Sequence, residues 1–99
     1  MPVRLIRMFP DWGHYWPLWE DGGQNYALTP TDLNLSRSLA SGLEAWMKLW
    51  RTSFSPERGW SRSADEERWT AQGRDLSVAL AAELMPAARV SFEWQSCAR

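Results

Sequence analysis

Residues 63–94 read SADEERWTAQGRDLSVALAAELMPAARVSFEW, and the periodicity changes partway through. Trp69, Gly73, Leu76, Leu80 and Leu84 recur at spacings of 4, 3, 4 and 4, one face of a helix that Pro86 stops. From Ala88 the period becomes two. Val90, Phe92 and Trp94 alternate with Arg89, Ser91 and Glu93, the pattern of a half-buried strand. Ser63-Ala64-Asp65-Glu66 has the form of a capping box, with Ser63 to cap and Glu66 to reach back. Asp65 and Glu67 suit the positive end of the helix. Gly73 lies on the inward stripe, where it costs about 1 kcal/mol of helix propensity against Ala. It is expected to make room for a large ring from a neighbouring helix, Trp46 or Trp50.

Upstream, Leu39, Leu43, Trp46 and Trp50 fall at spacings of 4, 3 and 4, so a second amphipathic helix runs from Ser36 to the stop at Ser55-Pro56. A loop, FSPERGWSRS (54–63), joins the two helices. Near the start, Val3–Phe9 (VRLIRMF) carries large apolar residues on both faces and reads as a central strand. Leu18–Glu20 and Tyr26–Leu28 flank Asp21-Gly22-Gly23-Gln24, whose residues tolerate positive φ and suit a hairpin reversal. The order is therefore β-β-α-α-β in one domain, 1–99, with a fourth strand if Tyr26–Leu28 joins. The fold class is α+β. A two-layer sandwich of a mixed three- or four-stranded sheet with an antiparallel helix pair on one face follows, the last strand parallel to the first. Either Ile6 and Met8 or Leu5 and Phe9 then lie on the uncovered sheet face, where an exposed apolar strip favours a homodimer or partner interface.

Composition excludes several function classes. The 99 residues include eight Trp, which helps so short a chain build a core. Net charge is −1, so nothing pulls the whole chain toward nucleic acid or an anionic membrane. Residues 36–62 are an exception, with five cations against two acids between acidic flanks. Cys97 is the only cysteine, which excludes an internal disulfide or a Cys-based metal site and favours a reducing cytoplasm. No signal peptide or membrane span is expected. No cofactor or metal is expected either.

Two clusters are candidate sites. Residues 11–23, DWGHYWPLWEDGG, hold Trp12, His14, Tyr15, Trp16 and Trp19. His14 with Asp11 and Glu20 invites an acid–base or metal reading. A catalytic zinc wants three protein ligands, most often with two or more His, and a hydrolase needs a nucleophile and an oriented base. Neither set is complete. Trp16 and Trp19 are expected to tuck under the helices and staple the turn, while Trp12 and Tyr15 show a face to solvent. The second cluster, Arg51, Arg58, Trp60 and Arg62, is a basic loop with an aromatic tip. It is either a solvated loop with Trp60 folded back or a contact surface. It falls short of a nucleic-acid footprint.

The chain resembles a family of small uncharacterised bacterial proteins that share a strand, then Pro-Asp-aromatic-Gly, then Pro-Leu-Trp. Here these are Pro10-Asp11-Trp12-Gly13 and Pro17-Leu18-Trp19, and the resemblance continues through residues 33–46 and 66–84. It implies a bacterial, stand-alone protein, similar by analogy to the immunity proteins of toxin systems. The leading expectation is a non-enzymatic protein-binding module of immunity or antitoxin type. It would contact a toxin domain through Trp12, His14, Tyr15, Arg58, Trp60 and Arg62. Two alternatives stay open: a nucleic-acid or small-ligand binder that stacks on the same rings, and a small enzyme centred on His14.

Overall fold

A computed structural model describes residues 4–23 and 25–94. Val3, Gln24 and Cys97, named above, lie outside the described residues. The chain runs β1 (Arg4–Met8), β2 (Leu18–Trp19), β3 (Ala27–Leu28), α1 (Arg37–Ser53), β4 (Phe54–Ser55), β5 (Gly59–Trp60), α2 (Ser63–Leu84) and β6 (Ala88–Phe92). The class is α+β, and the main sheet has four strands in the order β3-β2-β1-β6. β1 is central as its sequence suggests. It pairs antiparallel with β2 (Met8 opposite Leu18) and parallel with β6 (Arg4 opposite Ala88, Met8 opposite Phe92). Tyr26–Leu28 does supply the optional strand, with Leu28 opposite Leu18.

Strand parity sends Ile6, Met8, Leu18, Leu28, Val90 and Phe92 to one face, where both helices pack. The helices run antiparallel, because contacts descend along α2 as they ascend along α1. Ser36 at the N-cap of α1 meets Glu83, Gly42 meets Leu76, and Trp46 meets Trp69 and Gly73. Trp46 and Trp69 stack at 4.1 Å with ring planes 8° apart. Each indole N–H also donates to the other's backbone carbonyl, at 2.8 and 3.0 Å. Two buried polar groups are thereby satisfied by the same pair of residues that seals the helix interface. Gly73 does clear space for a ring of the first helix. A Cβ there would stand 2.8 Å from Trp46 and 2.5 Å from Phe92.

The other sheet face takes Leu5, Arg7 and Phe9, so of the two sets it is this one that the helices leave uncovered. It is no apolar strip. Trp19, opposite Arg7, stacks on Phe9 at 4.8 Å and covers it, and its indole N–H donates to the Phe9 carbonyl. Arg7 lies over the Phe9 ring and pairs with Glu93 and Asp21. Leu5 is about half exposed. Trp19 is thus buried, but not under the helices. Leu18 and Trp19 are both large and apolar, and the pairing of Leu18 with Met8 gives the helix side to Leu18. Trp16 does pack against the helix-side core.

Two further expectations are corrected. Residues 54–62 are not a plain loop, because Phe54 and Ser55 pair with Trp60 and Gly59 in a small hairpin that turns through Pro56-Glu57-Arg58 and enters β5 at Gly59, where φ is +74°. Ser63 does not cap α2. Arg62 takes the N-cap position without a side-chain hydrogen bond, and Asp65 is bonded to Arg68 at 2.7 Å. The hairpin's last residues run straight into the helix and start it one residue early. At α1, by contrast, the Ser36 hydroxyl accepts from the Leu39 amide as a true cap.

Candidate functional site

The excursion between β1 and β2 is closed at its base by Phe9 N–H donating to the Pro17 carbonyl, with Pro10 and Pro17 fully buried. At its tip the Asp11 carboxylate accepts from the Gly13 amide at 2.8 Å, an Asx-type turn that projects Trp12. Trp12 is 51% exposed and lies 4.3 Å, centroid to centroid, from Trp50, which is 1% exposed. Tyr15 is as open as Trp12, yet it is held from three sides. Its hydroxyl donates to Glu44 at 2.6 Å, Arg51 donates to its carbonyl at 2.6 Å, and the Arg51 guanidinium stands 4.6 Å above its ring. The Glu44 carboxylate pushes the Tyr15 ionisation above its usual value. Both rings are therefore fixed before any partner arrives, which lowers the entropic cost of using them as anchors.

His14 goes elsewhere. Its Nε2 donates to the Leu28 carbonyl at 2.8 Å and its ring meets the edge of Trp19 at 4.9 Å, so it ties the turn to β3. Glu20 is held by Arg4 through two 2.7 Å bonds, and the Arg4 guanidinium keeps the carboxyl below its usual range. Asp11 is occupied with Gly13. Asp11, His14 and Glu20 are thus each engaged separately. Among the described residues, no group of three His, Cys, Asp or Glu is placed to hold a metal ion, and no helix is long and apolar enough to cross a membrane.

The second cluster adjoins the first through a column of rings. Trp50 stacks on Phe54 at 5.5 Å, Phe54 meets Trp60 at 5.6 Å, and Trp60 meets Trp69 and Trp94. Trp60 is half-buried in this column. Arg58 and Arg62 are exposed on either side of it and form no ion pair among the described residues. The indole N–H groups of Trp50 and Trp60 are buried with no acceptor among the described residues, a state that costs about 1–3 kcal/mol each.

Trp12 is thus linked to the hairpin through Trp50 and Phe54, while His14 packs toward β3 and Trp19. Sequence reasoning missed Glu44 as the partner of Tyr15 and Trp50 as the support of Trp12. Glu44, Lys48 and Arg51 do recur at 4 and 3 along the open side of α1, a charged stripe visible in the sequence. What the sequence lacks is any sign that the aromatic turn leans on that stripe. Comparison with curated proteins finds no match. The family described as Serratia CdiI immunity protein-like matches residues 4–95, nearly the whole chain, and the chain belongs to that family.

Proposed function

We propose that the protein is an immunity protein that binds a toxin and neutralises it by occlusion, without chemistry of its own. Family membership supports the class. The observation that carries the surface is Trp12, half exposed on a fully buried Trp50 and beside a Tyr15 already fixed by Glu44 and Arg51. Rigid aromatic anchors next to arginines are the residues on which binding energy concentrates. Trp12, Tyr15, Arg58 and Arg62 would make direct contact. Trp60 would support the surface by seating the hairpin, and His14 only indirectly, by tying the turn that carries Trp12 and Tyr15 to β3.

The test is a growth assay in which this chain is co-produced with each member of a panel of bacterial toxin domains, followed by affinity measurement on the toxin it relieves. Trp12→Ala should weaken capture by about 2 kcal/mol, roughly 30-fold, while thermal stability changes by less than that. Relief that survives Trp12→Ala and Arg58→Ala together at unchanged affinity moves the interface to another face. Titration with single-stranded oligonucleotides should leave tryptophan fluorescence flat. Quenching that weakens steeply with salt would support the nucleic-acid reading instead.

A further inference from the structure

The β4–β5 hairpin carries two features that the fold itself leaves without purpose. Its cations are uncompensated: Arg58 and Arg62 are exposed and ion-paired to nothing among the described residues, and the neighbouring Glu57 carboxylate is taken by the Ser55 hydroxyl at 2.9 Å. Beneath them lie two buried indole donors without acceptors, Trp60 in the hairpin and Trp50 one ring away across Phe54. α2 begins immediately after Arg62 with no side chain capping it, so the positive helix end adds to the same field. Glu66 and Glu67 of its first turns offset that field in part, and Asp65 is committed to Arg68. Ser55, Arg58, Gly59, Trp60 and Ser61 line a shallow concavity here, with Glu57 at its rim. Arg58 and Arg62 thus stand exposed and unpaired beside the concavity, among the described residues.

We propose that the hairpin is the landing site for a short acidic loop of the protein partner, whose carboxylates pair with the exposed Arg58 and Arg62 over the shallow concavity that Trp60 lines. This rests on the reading that the surface binds a protein, and it adds the chemistry of the segment bound. A nucleic acid would also bring acceptors and negative charge, but it calls for a basic track well beyond two arginines. A short carboxylate-bearing loop needs only what is present.

The experiment pans a random peptide library on the immobilised full-length chain and reads the charge of what is enriched. The expected result is peptides with clustered Asp or Glu. Their binding should weaken with salt and fall about tenfold or more on the Arg58→Glu/Arg62→Glu chain, whose thermal transition stays close to wild type because both side chains are exposed. In an NMR titration with an enriched peptide, the indole signal of Trp60, which lines the concavity, should move more than that of Trp46, which lies in the helix interface. Enrichment of neutral or basic peptides, no enrichment, equal capture by the charge-reversed chain, or displacement by a single-stranded oligonucleotide at lower concentration overturns the proposal. A toxin relieved by this chain and captured equally well by the charge-reversed one leaves the immunity reading standing and removes this one alone.

Discussion

At Gly73 two opposing energies meet within one side chain. Alanine would recover about 1 kcal/mol of helix propensity, but its Cβ would press on Phe92 and Trp46 at 2.5 and 2.8 Å. Trp46 is not free to retreat, since it is clasped to Trp69, and the tip of the half-buried Phe92 ring would have to turn aside. Overpacking of this kind costs about 1–3 kcal/mol, so Gly73→Ala should lower the thermal midpoint by a few degrees, measured by calorimetry. A variant more stable than wild type would show that the rings yield easily. This role was legible in the sequence, because a glycine on an apolar helical stripe needs a steric reason. The face taken by Trp19 was not. Parity separates it from Leu18, but nothing in two adjacent apolar residues says which one meets the helices.

Among the elements, the helix pair depends on the reciprocal hydrogen bonds of Trp46 and Trp69. Each carbonyl involved also belongs to its own helix, so the clasp adds cross-links without breaking a backbone ladder. Replacing either Trp with Phe removes one donor and part of a stacked ring, at about 2–3 kcal/mol. The double variant should lose less than the sum of the singles, with a coupling of about 0.5–3 kcal/mol in a denaturant-melt cycle. Strict additivity would mean that the two rings act independently. The helices and β6 were readable from period, the central strand from apolar residues on both of its faces, and the parallel pairing from the order of elements. The β4–β5 hairpin was not, because strands of two residues are too short to show alternation and Ser-Pro-Glu-Arg-Gly looks like any loop. The same hairpin explains the failed capping box, since a chain already hydrogen-bonded at Trp60 reaches the helix with Arg62 in place of Ser63.

For the molecule as a whole, acid is the sensitive axis. Glu20 and Glu93 are both held below the usual carboxyl range, chiefly by hydrogen bonds from Arg4 and Arg7 respectively. A carboxyl whose folded value is depressed stabilises the protein above its unfolded value and loses that contribution as pH falls toward the folded one. Denaturant midpoints should therefore hold from pH 7 to about 5 and decline below it. Glu20→Gln should cost about 1 kcal/mol at pH 7, discounted because Arg4 is half exposed, and should flatten the decline. A decline of unchanged steepness in the double Glu20→Gln/Glu93→Gln chain would assign it to other groups. The pairing of β1 with β6 has a further consequence, for synthesis. A ribosome makes β1 before both helices and its parallel neighbour β6 only after them, so β1 must wait through the synthesis of the helix pair with one edge open. Chains that stall before residue 88 should therefore be prone to clump, and the sheet should close only once residues 88–92 are made.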